Sequence, residues 1–233
     1  MLIKPVTPIE LQVATPLLYV NPDFYAAGNV ATLNDSSGRR VAFSGTGSAQ
    51  PVNTANRANG HNAIVFDGSN DTLQGSSSAS LFNVGDMTLF IVARKTSDNG
   101  SNSRLFNVSN NADRIRFNYY TASNDVTFIS SSDGSGGVNK TLSDVSAWHI
   151  ICGSRTGNTV SLKVNNGTAS TATNSATPIA DAAQFAIGDV SWFSANYFPG
   201  DLALLVLYGE YLSTTKQTAL HAEFSRRYGI AIS

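Results

Sequence analysis

Paired carboxylates are the first chemistry to look for in this chain, because an acid and a base about 5–10 Å apart can cleave a glycosidic bond. An Asp-only pair exists in Asp67-Gly68-Ser69-Asn70-Asp71. A turn populated by Asx residues, whose side chains bond their own backbone, accounts for both acids. The three histidines are His61, His149 and His221. His149 alternates with core positions of a strand and His221 belongs to a helix. Neither has a partner at metal-ligand spacing, so both read as structural or surface histidines. Serines are too common to single one out, and no Gly-x-Ser-x-Gly elbow is present. Gly134-Ser135-Gly136-Gly137 lacks the lysine and helix of a phosphate loop. Cys152 is the one cysteine. It lies in an apolar strand and reads as a small core hydrophobe. These side chains predict a protein that binds or builds and is not an enzyme.

Binding chemistry has better candidates. A hard cation such as calcium takes six to eight oxygens, which Asx-rich loops supply. Asp67, Asn70 and Asp71 are candidate ligands, with Asp189 or Asp201 on neighbouring loops. Between Asp189 and Pro199, four aromatics (Trp192, Phe193, Tyr197 and Phe198) stand among Ser194, Asn196 and other small polar residues. Aromatic faces stack on sugar rings while Asn and Asp bind hydroxyls, so this segment could hold a glycan. Aromatics with a polar handle also anchor protein interfaces, or cap the end of a core. All three roles stay open. Tyr119-Tyr120 is a second ligand or interface candidate.

The rest of the chain must position these groups. Of 233 residues, 42% are apolar, enough for a core, and only 13% are charged. Ser, Asn, Thr, Gly and Ala fill the gap, which suits strands and turns better than helices. Net charge is −1, with only the short basic pairs Arg39-Arg40 and Arg226-Arg227. Nucleic-acid binding needs a stronger footprint and is not expected. No stretch approaches the roughly 20 apolar residues of a membrane span, so membrane insertion is not expected either. Pro5, Pro8 and Pro16 interrupt residues 1–20, which read as an extended arm. That arm either lies across a neighbouring subunit or forms a first edge strand. It has no signal-peptide pattern, which predicts synthesis in a cytoplasm without export by an obvious route.

Residues 21–233 read as a single domain. Ala63–Phe66, Met87–Ala93, Arg104–Val108, Arg114–Tyr119, Val126–Ile129, Trp148–Cys152, Thr159–Val164, Gln184–Gly188 and Asp201–Tyr208 are strand patterns. Met87–Ala93 is nearly continuous in apolar residues, as expected when both faces are covered. Ile115, Phe117 and Tyr119 alternate onto one face. The glycines of residues 153–158 suit a hairpin loop, and Asn165-Asn166-Gly167 a second tight turn. One helix closes the chain, capped by Ser213, striped by Leu220, Phe224 and Tyr228, and stopped by Gly229. It is expected across a sheet edge or end.

The ordered set of features resembles the laminin G-like, concanavalin A-like superfamily over about residues 60–230. Ala63–Asp71 resembles its early strand and turn, and Phe90–Arg94 its central strand. Trp148-His149 with Leu162–Gly167 resembles its paired middle strands. Gly200–Tyr208, then Tyr211-Leu212-Ser213 and a helix ending in Tyr228-Gly229-Ile230, resembles its closing unit. The resemblance implies an all-β, two-sheet antiparallel jelly-roll sandwich with one C-terminal α-helix and a role in recognition or adhesion. It also implies calcium at a loop rim in many members, and hydrolases in some. The hydrolase pattern Glu-x-Asp-x-x-Glu is absent, since Glu10, Glu210 and Glu223 have no acid at that spacing.

Such domains are common in bacterial surface proteins and in virions of tailed bacteriophages. The leading expectation is a virion structural protein, either capsid decoration or tail-associated adhesin, made in a host cytoplasm. Its expected partners are copies of itself, other virion proteins and a cell-surface glycan. The alternatives are a carbohydrate-binding lectin module and, more remotely, an Asp-dependent glycosidase.

Overall fold

The computed structural model describes residues 8–39, 41–45, 48–76, 85–97, 102–110, 113–120, 124–131, 136–175, 184–188 and 196–233. In chain order they form helix α1 (Ile9–Val13), strand β1 (Leu18–Val20), a 3-10 turn (Pro22–Phe24), β2 (Gly28–Asn29), β3 (Thr32–Asn34), β4 (Ala42–Ser44), β5 (Val52–Ala58) and β6 (His61–Asp67). Then come β7 (Leu73–Ser76), β8 (Met87–Lys95), β9 (Ser103–Asn110), β10 (Asp113–Tyr120), β11 (Asp125–Ser131) and β12 (Val138–Thr141). The chain closes with β13 (His149–Thr156), β14 (Thr159–Val164), β15 (Ser170–Thr173), β16 (Gln184–Ile187), β17 (Pro199–Tyr208) and helix α2 (Thr214–Tyr228).

Among the described residues the strands make two sheets. One runs β15-β14-β13-β8-β17-β6-β5-β2, with β1 also paired to β17; the other runs β12-β11-β10-β9-β16-β7-β4-β3. Every pairing is antiparallel. This is the expected sandwich with one C-terminal helix. Alternation decides which side chains meet between the sheets. Ile115, Phe117 and Tyr119 of β10 face Ile64, Phe66, Ile91, Ile151 and Leu205 of the other sheet in one buried cluster.

The first sheet also has a covered outer face. Phe90, Val92, Ile150, Cys152, Val206 and Tyr208 pack there beneath Leu220, Phe224 and Tyr228 of α2, with Ile9, Leu11 and Val13 of α1 at the margin. The continuous apolar run of β8 is explained by this double covering. Helix α2 therefore lies across a sheet face and not across an edge. Its stripe needs apolar partners, and the outer sides of β8, β13 and β17 provide them. Its ends are as expected: Ser213 Oγ accepts from Lys216 N at 3.4 Å, and Gly229 is left-handed at φ 66°.

The N-terminal segment is not an extended arm over its described length. Residues 9–13 are helical, and Leu18↔Leu207 and Val20↔Leu205 place β1 on β17 inside the domain. A buried ion pair explains this docking: Arg227 Nη1 reaches Glu10 Oε1 at 2.6 Å, and Glu10 is fully buried. Tyr208 Oη donates to the Glu10 carbonyl at 2.9 Å. Gly153 differs too. It lies inside β13, and a Cβ there would stand 2.6 Å from the Phe128 ring. It is a notch for a ring from the opposite sheet, while the hairpin turn falls at Gly157-Asn158, between Thr156 and Thr159.

Candidate functional site

Four chain segments converge at the start of β6, the end opposite the Asp67 turn. The first is the hairpin turn Asn59-Gly60, with φ 50° and 86°. Both angles are positive, as a two-residue turn with the twist of its strands requires. It sets Asn59 beside His61 and pairs Ala58 with His61. The second is the 3-10 turn, opened by Asn21, whose Oδ1 accepts from Asp23 N at 3.1 Å. That turn presents Asp23 and leaves Phe24 55% exposed, edge-on to Tyr19 at 6.0 Å. The third is α1 with Pro8, Ile9 and Gln12, and the fourth is the last turns of α2 with Glu223, Arg226 and Arg227. Together they line a cleft of about 650 Å³.

Its polar groups are ordered by one another. Asp23 Oδ2 lies 2.6 Å from His61 Nδ1, and Asp23 Oδ1 accepts from Asn62 N at 2.7 Å. Glu223 accepts from Arg226 Nη2 at 2.8 Å and from Arg227 Nη2 at 3.2 Å. Burial would raise the Glu223 pKa, but the bonds from Arg226 and Arg227 outweigh it and hold the carboxyl below its ordinary range. A general acid needs the opposite shift. Among the described residues, the lining includes no Ser, Thr or Cys that His61 and Asp23 could activate. An exposed ring beside carboxylate, amide, imidazole and guanidinium groups suits a hydroxyl-bearing ligand, whose ring faces stack and whose hydroxyls bond. Volume and open access are those of a small-ligand site.

Sequence reasoning missed this cleft, because its residues come from four segments far apart in the chain. One local signal was there: Asn59-Gly60 is a strong hairpin dipeptide and places His61 next to Asn59.

The ligand, interface and metal candidates singled out from sequence that the structure describes lie elsewhere. Trp192, Phe193 and Asp189 fall outside the described residues. Asn196 and Tyr197 are half-buried, and the Asn196 carbonyl accepts from Arg104 N at 2.9 Å. Phe198 and Tyr119 are corrected from ligand contacts to core. Both are fully buried, their rings are 5.4 Å apart, and Phe198 meets Phe66 at 6.1 Å. The strict alternation that puts Tyr119 in line with Phe117 is what takes it inside. Tyr120 points the other way and lines a pocket of about 160 Å³ with Lys95, Thr96 and Asn124.

The four proposed calcium ligands do not form one site. Asp67 Oδ1 accepts from the backbone amides of Ser69, Asn70 and Asp71 at 2.8–3.2 Å. Burial opposes but does not cancel these bonds, and the Asp67 pKa is lowered. Asp71 Oδ2 accepts from Asp67 N at 2.8 Å. Its pKa is raised, by burial first and then by the Asp67 charge. Asp201 is buried on the outer face of the first sheet, bound by Arg94 Nε at 2.7 Å and Arg57 Nε at 3.0 Å. Two guanidiniums already neutralise it. Among the described residues no group of three or more His, Cys, Asp or Glu is placed to hold a metal ion.

Cys152 is buried in the outer core, and burial pushes its thiol up to about 12, which suits an inert packing group. His149 is buried and bonded, with Nε2 2.7 Å from the Asp144 carbonyl and Nδ1 3.1 Å from Asn165 Nδ2. Among the described residues, no helix is long and apolar enough to cross a membrane.

Residues 67–216 match the family model described as the concanavalin A-like lectin/glucanases superfamily, Laminin_G_3. No curated protein sequence matches the chain. Among solved structures, the botulinum neurotoxin serotype G binding domain aligns with a TM-score of 0.70 at 10% identity, over 90% of this chain and 51% of that one. The binding domain of botulinum neurotoxin DC in complex with SialylT aligns at 0.61 and 11% identity, over 91% and 52%. Trypanosoma rangeli sialidase in complex with the inhibitor DANA aligns at 0.62 and 14% identity, over 88% and 32%. The chain thus spans about half the length of the toxin binding domains, and what it shares with all three is the fold. With 67–216 matched and a two-sheet antiparallel sandwich closed by a helix, this chain belongs to the laminin G-like family of the concanavalin A-like lectin/glucanase superfamily.

Proposed function

We propose that this chain is a non-enzymatic recognition module that binds carbohydrate in the cleft between α1, the 3-10 turn, the β5–β6 hairpin and α2. One observation carries the reading: Phe24 stands 55% exposed at the mouth of a roughly 650 Å³ cleft walled by Asp23, Asn59, His61 and Arg226. An aromatic face open to solvent beside hydrogen-bonding groups can stack on a sugar ring whose hydroxyls those groups bond. The fold supports the reading, since solved proteins of the same fold include a toxin binding domain in complex with SialylT and a sialidase.

A broad glycan array, read with calcium and with chelator, tests it. Specific binding is expected, insensitive to chelator. Phe24→Ala abolishes it while leaving the melting temperature nearly unchanged. A blank array with folded protein refutes the reading. Loss of binding in Trp192→Ala but not in Phe24→Ala moves the site to residues 189–199.

We further propose that the module works on a tailed-phage virion, as capsid decoration or tail-associated adhesin, and self-associates there. The support is the family resemblance, such domains being common in those particles. Mass spectrometry of purified particles and light scattering of the isolated protein test it; absence from particles or a monomer in solution argues against it.

A further inference from the structure

We propose that His61 is a specificity-determining residue of the cleft, locked by Asp23 in the tautomer that offers Nε2 as an acceptor to a ligand hydroxyl. The inference rests on the carbohydrate reading of the cleft and goes beyond it by naming the group that selects among ligands.

The lock follows from the 2.6 Å contact between His61 Nδ1 and Asp23 Oδ2. An ionised carboxylate only accepts, so the proton of a neutral imidazole must sit on Nδ1. Nε2 then carries a lone pair. Asp23 is itself fixed, since Oδ1 accepts from Asn62 N at 2.7 Å and its own N–H donates to Asn21 Oδ1 at 3.1 Å. The ring is held on its other side by Tyr228, with centroids 5.3 Å apart and planes at 64°.

The groups around the imidazole leave Nε2 without a bond among the described residues. From the 3-10 turn comes Asp23, already on Nδ1. From α2 come Glu223, Arg226 and Arg227, paired with one another, and Tyr228, whose hydroxyl donates to the Ala203 carbonyl at 3.2 Å. From α1 come neutral Gln12 and buried Glu10, bound to Arg227 at 2.6 Å. From the hairpin comes neutral Asn59, whose Nδ2 donates to the Arg227 carbonyl at 3.1 Å.

An acceptor at this point selects a ligand with an O–H in reach and disfavours its deoxy or O-methyl analogue. One neutral hydrogen bond in an open cleft is worth roughly 0.5–1.5 kcal/mol, or about 3- to 10-fold in affinity.

Nitrogen-correlated NMR of the free protein reads the tautomer without any ligand. The proton is expected on Nδ1 at neutral pH, and Asp23→Asn is expected to shift it toward Nε2. A wild-type ring protonated at Nε2 overturns the proposal. Ligand-observed NMR with the methyl glycosides of glucose, galactose, mannose and N-acetylglucosamine then reads binding. His61→Phe loses about 3- to 10-fold, and His61→Gln, which keeps an acceptor, recovers part of the affinity. Unchanged affinity in both His61 variants, with binding lost in Phe24→Ala, refutes the role of His61 and leaves the cleft standing. No binding of any glycoside or array glycan by the wild type refutes the cleft reading, and this proposal falls with it. Thermal melts of each variant separate lost binding from lost folding.

Discussion

His221 is the residue whose burial has the plainest consequence. It is fully buried under α2, edge-on to Phe90 at 5.2 Å, and neither ring nitrogen has a hydrogen-bond partner among the described residues. Burial first, and the Lys163 charge second, lower its pKa from 6.5 to about 3. The unfolded chain therefore binds a proton that the folded chain refuses, throughout that interval. Stability is whole above pH 6.5 and is lost as pH falls toward 3, at up to about 1.4 kcal/mol per pH unit. Urea unfolding at pH 6.5 and 4.5 is expected to differ by roughly 2–3 kcal/mol, and His221→Leu is expected to remove most of that difference. Equal slopes in the two proteins would assign the acid loss to other groups. The sequence placed His221 on a helix but not against a sheet face, so its desolvation was not legible. Tyr119 and Phe198 were misread for a related reason. Aromatics near loops look like ligand contacts until the opposite sheet is present to bury them.

At the scale of elements, α1 depends on one polar residue. Glu10 is buried against Arg227, accepts from Tyr19 Oη at 3.0 Å, and ties the helix to α2. The same burial, with the Glu10 charge next, pushes the Tyr19 hydroxyl up to about 12. Glu10→Gln keeps the shape and removes the charge, but Arg227 keeps Glu223. The expected cost is about 2–3 kcal/mol, with faster hydrogen exchange at residues 9–13 and weaker glycan binding, since α1 is a wall of the cleft. Unchanged exchange there would mean that apolar packing alone holds α1. Elements with a strong local signal were legible: the capped α2, the alternating β10, and β8 with its two covered faces. β5 was not, because Val-Asn-Thr-Ala-Asn-Arg-Ala lacks an apolar alternation and its register shifts between Thr54 and Ala58. Glycine at position 153 resembled a turn signal because its role, admitting Phe128, lies in the other sheet.

For the molecule as a whole, the two-layer architecture was legible because each layer leaves a period in the sequence, while the site was not, because it exists only where α1, the 3-10 turn, the β5–β6 hairpin and α2 meet. That meeting has a further consequence. The first and last helices are bonded to each other, Glu10 to Arg227 at 2.6 Å, and Ser233 N donates to the Asn165 carbonyl at 3.0 Å. Helices α1 and α2 are therefore clasped together on one side of a single sheet, which makes the fold a candidate for circular permutation. A variant with Pro8 joined to Ser233 by a flexible linker and reopened at the exposed Gly157-Asn158 turn is expected to fold, measured by an unchanged circular dichroism spectrum. It is also expected to keep its cleft, since the linker replaces a closure that Glu10 and Arg227 already make. Connectivity around the sandwich would then be interchangeable, and the clasp between the two helices would be the feature that defines the molecule.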